Sequence, residues 1–282
     1  MNNMNVNYTC TYWGCEQQTA KEFLANVVKS GYRGVEINFP DDAHFVAEFM
    51  TELERIRKTI DRDFIFIAQQ VLSNQNESVE DYLKRIKSRL EFLAALKPTF
   101  INSHTGKDYY DFSDNCRIID CTAEIASKSG IPIVHEIHRG RFTFHLKTLL
   151  SYLDRYPTLK LVADLSHFCV VSESNLEDQQ ELLVKLYPNI HHIHARIGFE
   201  QSPQVNNPFA PEWKSYLDRY LGWWEEVLKA QTVLHLPLTI TPEFGPFPYM
   251  SEAPFTKEPL SNQWEINLQM KHYLQQNLFK NG

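Results

Sequence analysis

Residues 133–141 read IVHEIHRGR, an apolar run that passes without a break into ionisable side chains. The first half of this stretch is typical of a buried β-strand. The second half places a glutamate, a histidine and two arginines where that strand would end. The stretch therefore predicts a sheet in which ionisable side chains of a functional site stand at the ends of the strands.

The same kind of apolar run recurs along the chain, separated each time by a segment of helical periodicity. The predicted strands cover residues 8–13, 34–39, 64–70, 99–104, 131–138, 160–168, 190–197 and 236–244. Their starts recur about every 30 residues, which is the length of one βα unit. Strands that alternate with helices indicate a parallel sheet. Eight such units predict an α/β protein, a single-domain (β/α)8 TIM barrel over residues 1–282.

A doubly wound open sheet is the competing fold. It usually carries a glycine-rich phosphate-binding turn after its first strand. Here that position, residues 13–18, reads WGCEQQ and holds a single glycine. The barrel is therefore the favoured fold.

Helix signals between the strands agree with this alternation. A helix is predicted from residue 19 to 30, with Gly31 closing it. Asp42 follows a Pro40 turn and is predicted to cap the next helix at its N-terminus. The helix of residues 79–96 places four apolar side chains on one face. These are Tyr82, Ile86, Leu90 and Leu93.

Composition excludes several classes of partner. The net charge of −7 argues against a nucleic-acid partner, which usually needs a basic stripe. The five cysteines are scattered and odd in number, which is typical of reduced thiols in a cytoplasmic protein. No signal peptide is visible, and no apolar run approaches the roughly 18 residues that span a bilayer. A cytoplasmic protein without membrane or nucleic-acid contacts is expected.

Four consecutive predicted strands end in ionisable residues. The fifth ends in Glu136, the sixth in Asp164, the seventh in His194 and the eighth in Glu243. In a TIM barrel these ends meet at the active-site face. Three converging carboxylates would repel one another and raise at least one pKa, and a divalent cation removes that conflict. Three carboxylates and one imidazole suit one divalent metal ion, Mn²⁺, Mg²⁺ or Co²⁺, with Zn²⁺ also compatible.

Neighbouring polar residues share these strand faces. Because alternate residues of a strand face the same side, His138 should accompany Glu136, and His192 and Arg196 should accompany His194. Glu36 and His104 end the second and fourth strands, and an ordinary structural role explains either one equally well.

The chain resembles the xylose isomerase-like TIM barrel superfamily, the sugar phosphate isomerase/epimerase family, over essentially its whole length. That family also holds inosose dehydratases and endonuclease IV. The motifs that carry the resemblance are SGYRGVEI (residues 30–37), HEIH (135–138), ADLSH (163–167), IHAR (193–196) and TPEFGP (241–246).

The resemblance implies roles for individual residues. The metal ligands would be Glu136, Asp164, His194 and Glu243. Glu136 and Glu243 would also exchange the substrate proton through an enediolate, which makes them the catalytic residues. The resemblance and the strand-end positions together suggest the substrate-binding residues His138, His167, Arg196, His104 and Trp13.

Several functions stay open at this point. The first is a metal-dependent sugar or sugar-phosphate isomerase or epimerase. An inosose-type dehydratase, a lyase, would begin with the same enolisation. An endonuclease IV-like phosphodiesterase would need a histidine at the end of the third strand, where Gln69 and Gln70 stand. A barrel that only binds a sugar is the non-enzymatic alternative.

The substrate is expected to be a small carbohydrate, and a homo-oligomer is compatible with the resemblance. Lys107, Arg139 and Arg141 follow strand ends, where they could bind a phosphate or carboxylate or be ordinary surface charges. Residues 199–213 form a long insertion after the seventh strand, typical of a lid or specificity loop. Trp13 and Phe247 are predicted apolar walls, although simple packing explains them equally well.

Overall fold

The computed structural model describes residues 6–73, 75–235 and 237–278. Within these ranges every strand pairing of the sheet is parallel. The strands are Val6–Tyr8 (β1), Cys10–Thr11 (β2), Gly34–Ile37 (β3), Ile65–Gln70 (β4), Phe100–Ser103 (β5), Ile133–Glu136 (β6), Leu161–Ala163 (β7), Ile190–His194 (β8) and Leu238–Thr241 (β9). Residue 236, the predicted start of the last strand, and both ends of the predicted domain lie outside the described residues.

The sheet closes through the first two strands. β1 pairs with β9, and β2 pairs with β3. Thr9 lies between β1 and β2, and its N–H donates to the carbonyl oxygen of Ile240 at 2.9 Å. β1 and β2 thus act as one barrel strand that begins earlier than predicted. The predicted (β/α)8 TIM barrel is confirmed.

Helices surround the strands. They are Ala20–Lys29 (α1), Ala43–Thr59 (α2), Val79–Ala95 (α3), Phe112–Ser129 (α4), Leu146–Arg155 (α5), Ser166–Ser172 (α6), Gln180–Leu186 (α7), Lys214–Val233 (α8) and Gln263–Asn277 (α9). Asp42 caps α2 as predicted, accepting hydrogen bonds from the N–H groups of His44 and Phe45. The predicted apolar face of α3 is buried. Among the described residues, no helix combines the length and apolar character needed to cross a membrane.

The sixth predicted strand is too long. β7 stops at Ala163, and Ser166 already begins α6. The cause is a local turn in which Asp164 Oδ1 accepts hydrogen bonds from both the N–H and the hydroxyl of Ser166. Such side-chain bonds compete with a strand ladder. Asp164 therefore stands at the point where strand becomes helix.

Two apolar clusters position the site. The larger one lies between strands and helices. The smaller one, formed by Ile67, Phe100, Val134 and Val162, fills the barrel interior. Phe100 packs against the His192 ring with centroids 5.6 Å apart. The polar side chains therefore meet above the smaller apolar cluster, at the carboxyl ends of the strands.

The insertion after β8 is fastened to the loop after β9. Gln204 Oε1 accepts the N–H of Gly245 at 2.7 Å, and Gln204 Nε2 donates to the Gly245 carbonyl at 3.1 Å. A short 3-10 helix, Pro211–Trp213, leads into α8. The two loops thus form one connected wall over this end of the barrel.

Candidate functional site

The structure brings the four predicted ligand residues together. Glu136 ends β6, Asp164 follows β7, His194 ends β8 and Glu243 lies just beyond β9. Each side chain offers one ligand atom, these atoms all lie within 4.8 Å of one another, and all four residues are buried. The group could hold a metal ion.

The two ring nitrogens of His194 have different surroundings. Nε2 lies 3.0 Å from both carboxylate oxygens of Glu36. An ionised carboxylate can only accept, so it holds a proton on Nε2. Nδ1 lies 2.8 Å from Glu243 Oε2, yet its direction gives it no hydrogen-bond partner among the described residues. A buried nitrogen with this orientation, backed by a carboxylate, fits a metal ligand.

Glu36 is a buried residue whose carboxylate accepts hydrogen bonds from several side chains beneath this site. Its carboxylate also accepts hydrogen bonds from Asn102 Nδ2 at 2.8 Å, from Thr241 Oγ1 at 2.7 Å and from His192 Nε2 at 3.1 Å. Burial raises the pKa of Glu36, but His194 and His192 outweigh that effect and lower it well below its usual value. Glu36 therefore stays ionised and orients His194.

Negative charge dominates the centre of the site. Burial lowers the pKa of His194, but Glu243, Glu36 and Glu136 outweigh it and raise that pKa well above its usual value. Burial, together with Glu136, raises the pKa of Glu243 against the effect of His194. Protons are thus drawn to the group to offset its charge. A divalent cation would supply the same compensation, so the donor set fits one.

Arg196 links Asp164 to the cavity wall. Its guanidinium pairs with Asp164 Oδ2, and Nη2 lies 3.2 Å from His167 Nε2. The guanidinium carbon sits 4.7 Å from the ring centroid of Tyr249 and 5.8 Å from that of Trp13. Burial lowers the pKa of Arg196, but Asp164 and Glu243 raise it above its usual value. Arg196 is therefore a fixed positive charge beside the carboxylates.

Three predicted histidines lie in a row with their rings tilted to one another. The ring centroids of His104 and His138 are 4.4 Å apart, and those of His138 and His167 are 3.9 Å apart. His104 Nε2 lies 3.0 Å from Glu136 Oε2. Burial lowers the pKa of both His138 and His167 well below the usual value, which favours their neutral forms. His167 is fully buried behind the other two, so its contact with substrate stays a prediction.

A cavity of about 440 Å³ opens above this group. Six of the predicted residues line it, namely Trp13, His104, Glu136, His138, Arg196 and Glu243. A larger cavity of about 950 Å³ lies beside it and contains none of the four ligand residues. Phe247 lines that second cavity and is 62% exposed. The predicted wall is therefore wrong at Phe247: Tyr249, 5.0 Å from Trp13 between ring centroids, stands there instead.

The sequence prediction did not include two amide side chains that donate hydrogen bonds to the glutamates. Asn102 Nδ2 donates to Glu136 Oε2 at 2.7 Å, and Gln69 Nε2 donates to Glu243 Oε1 at 3.4 Å. A signal for Asn102 existed, because it precedes His104 by two residues in the chain and so shares its strand face. Each candidate catalytic glutamate thus has one oxygen held by an amide.

Comparisons with known proteins agree with this architecture. The family model described as xylose isomerase-like TIM barrel matches residues 24–202, more than half of the chain. No curated protein matches the chain by sequence.

Solved structures give the same fold at low sequence identity. A D-tagatose 3-epimerase-like protein is 14% identical with a TM-score of 0.61, and the match covers 96% of each chain. The probable 3-DHS dehydratase AsbF from Bacillus anthracis, involved in petrobactin synthesis, is 16% identical with a TM-score of 0.63, covering 97% of this chain and 99% of that one. The IolI protein with a bound zinc atom is 15% identical with a TM-score of 0.62, covering 95% and 97%. The closed parallel barrel and the family match together show that the chain belongs to the xylose isomerase-like TIM barrel family.

Proposed function

We propose that this protein is a metal-dependent isomerase or epimerase that acts on a sugar or sugar derivative. The observation that carries the proposal is the pair Glu136 and Glu243, which line one cavity directly above the His194 and Asp164 donors. Two carboxylates that line one cavity can act on a substrate carbon held between them, one removing a proton and the other returning one. The likeness to a D-tagatose 3-epimerase-like protein is compatible with this chemistry.

The four-residue group would hold one divalent ion. Mn²⁺, Mg²⁺ or Co²⁺ suits three carboxylates and one imidazole, and the zinc of the IolI structure keeps Zn²⁺ among the candidates. When bound, such an ion acts as a Lewis acid that favours negative charge on the substrate during enolisation.

The protein's own residues would perform the proton transfer and position the substrate. Asn102 donates to one oxygen of Glu136 and Gln69 to one oxygen of Glu243, and these hydrogen bonds orient the two carboxylates that would take or give a proton. Arg196 can donate hydrogen bonds to substrate oxygens, since it lines the cavity. Trp13 and Tyr249 offer ring surfaces to the carbon side of a sugar. Substrate carbon and proton acceptor would thus be held in one geometry.

The proposal is tested by proton exchange. Wild type with Mn²⁺ is incubated in deuterated water with ketoses, sugar phosphates and inososes, and deuterium in the sugar is measured by mass spectrometry. We expect Glu136→Gln and Glu243→Gln each to lower exchange and turnover by at least about 10²-fold, as removal of a general base does. Glu54→Gln, on the exposed side of α2, is the control and should keep wild-type rates. Wild-type exchange in either cavity variant would refute the assignment.

A dehydratase is the second candidate, because elimination of water begins with the same proton removal. The probable 3-DHS dehydratase AsbF from Bacillus anthracis shares the fold over 97% of this chain. The same mass spectra separate the two reactions, since only the lyase product loses one water. The endonuclease alternative has less support, because Gln69 and Gln70 end β4 where a zinc-binding histidine is expected.

A further inference from the structure

We propose that Arg141, together with Lys107, forms a subsite for an anionic group of the substrate, either a carboxylate or a phosphate monoester. The inference rests on the proposed function, because it concerns the substrate of the same cavity. It names the chemical class of that substrate as a negatively charged sugar derivative.

Arg141 stands where two cavities meet. It lines the 440 Å³ cavity that contains Glu136 and Glu243. It also lines an adjoining recess of about 460 Å³, into which Lys107 and Arg139 face. His138 and Tyr249 border both spaces as well. A substrate whose reacting carbons lie near the glutamates could therefore extend its far end past Arg141 into the recess.

The Arg141 guanidinium is buried without a counter-charge. The residue is only 8% exposed. Within the described residues its Nε has no hydrogen-bond partner, and its side chain donates only to the Gly140 carbonyl, from Nη1 at 3.2 Å. No carboxylate among the described residues lies within 4.0 Å of the Arg141 side chain, whereas the fully buried Arg196 pairs with Asp164. A buried arginine is rare unless it is paired with an anion, so the unpaired guanidinium of Arg141 fits a role in binding an anionic ligand.

A second buried cation, Lys107, lies near Arg141. Lys107 is 4% exposed, and its pKa is lowered by burial and by the nearby Arg141 charge. Two carboxylates near Lys107 act in the opposite direction: Glu77, which pairs with Arg85, and Asp108, an exposed residue whose charge is screened by water. Two buried cations so close together are mutually repulsive. An anionic ligand between them would remove the repulsion and accept several charge-assisted hydrogen bonds.

The loop after β6 holds Arg141 in place. Gly140 adopts φ +77°, which permits the tight turn before Arg141. The Arg141 N–H donates to the His138 carbonyl at 3.2 Å, and the Thr143 hydroxyl donates to the Glu136 carbonyl. The same short loop therefore fixes the backbone of both Glu136 and Arg141. This pre-organisation is what an anion-binding side chain needs.

The test uses anion binding to the protein after a chelator has removed divalent ions. Inorganic phosphate and acetate are titrated separately by calorimetry. We expect wild type to bind at least one of them with a millimolar or tighter Kd, and Arg141→Met to weaken that binding at least tenfold. Lys107→Met should weaken it as well. Arg62→Met removes an exposed charge at the opposite end of the barrel and should leave binding unchanged.

The outcomes separate this inference from the proposed function. Preferred binding of phosphate supports a phosphorylated substrate, and preferred binding of acetate supports a sugar acid. Glu136→Gln should bind the anion at least as tightly as wild type even if it has lost proton exchange, because it removes a negative charge from the cavity that Arg141 lines. Arg141→Lys, which keeps the charge, should retain part of the affinity and serves if Arg141→Met does not fold. Absence of binding to wild type, or equal binding by wild type and the Arg141 variants, would overturn the subsite.

Discussion

At the scale of single residues, the contact between Glu36 and His194 fixes which nitrogen of the imidazole faces the carboxylates. The carboxylate lies 3.0 Å from Nε2 and holds a proton there, so Nδ1, which lies among the three carboxylates, is the nitrogen that can give up its proton to bind a metal ion. Without that contact the ring could carry its proton on either nitrogen. Partners of this kind raise the affinity of a histidine for a metal.

Glu36→Gln tests this role. The variant keeps the shape of the side chain but removes the charge that holds the Nε2 proton. We expect the affinity for Mn²⁺ or Zn²⁺ to fall about 10–100-fold, measured by competition with a chelating dye. Glu54→Gln, at an exposed position of α2, should leave the affinity unchanged, and melting curves of both variants report folding. Equal affinity in Glu36→Gln and wild type would mean that Glu36 does not position His194.

The meeting of Glu136 and Glu243 in one group was predictable at this scale, but the contacts that support them were not. Glu136 and Glu243 stand out because an ionisable residue at the end of an apolar run is unusual. Gln69 contacts Glu243 from a strand more than 170 positions earlier in the chain, and no local pattern reveals such a pair. For the same reason the sequence left a functional and an ordinary structural role equally open for Glu36.

At the scale of elements, some helix starts carry a side-chain cap and others do not. Asp42 Oδ1 accepts the N–H of His44 at 2.8 Å and that of Phe45 at 3.2 Å at the start of α2. Asp111 occupies the same position before α4 but makes no capping hydrogen bond. We expect Asp42→Ala to lower the free energy of unfolding by about 1 kcal/mol. Asp111→Ala should change it by a few tenths at most, and urea unfolding of both variants checks the difference. Equal losses would contradict the capping account.

Successive side chains of strand β8 face opposite sides of the sheet, which separates its three histidines. His192 and His194 face the barrel interior, whereas His191 points to the other side and is half-buried. Burial, aided by Lys160, lowers the pKa of His191 to about 4. The unfolded chain, with a histidine pKa of about 6.5, binds the proton first as the pH falls. This group therefore makes the free energy of unfolding decrease as the pH falls from about 6.5 to 4.

His191→Gln should flatten that pH dependence. The slope of the unfolding free energy against pH reports how many protons the chain takes up on unfolding. In this window the variant should take up fewer protons than wild type, by at most about one, because the His191 ring is partly exposed. Urea titrations at several pH values measure it. Identical slopes in wild type and variant would show that the His191 pKa is not lowered in the folded protein.

Element boundaries show where sequence patterns fail. The run LVADLSHF, residues 161–168, reads as one apolar strand because its hydrophobic residues continue past Asp164. In the structure Ser166 begins a helix whose buried residues continue the same apolar run. Periodicity cannot separate a buried strand from a short buried helix. The turn between Asp164 and Ser166 decided the boundary.

At the scale of the whole molecule, the barrel explains why distant residues converge. Parallel strands bring their carboxyl ends to one face, so residues from four successive strands meet without any local signal for their contact. This convergence was predictable once the strand order was known. The position of Tyr249 rather than Phe247 beside Trp13 was not, because it depends on the path of the irregular loop after β9.

The central claim is that Glu136, Asp164, His194 and Glu243 hold one divalent ion, and elemental analysis tests it most directly. The protein is purified without chelator or affinity metal, beside Glu243→Gln and His194→Ala. We predict about one divalent ion per wild-type chain and a large loss in both variants, because each removes one of the four donors. No bound ion in wild type after incubation with Mn²⁺ and Zn²⁺, or equal metal content in all three proteins, would contradict the claim.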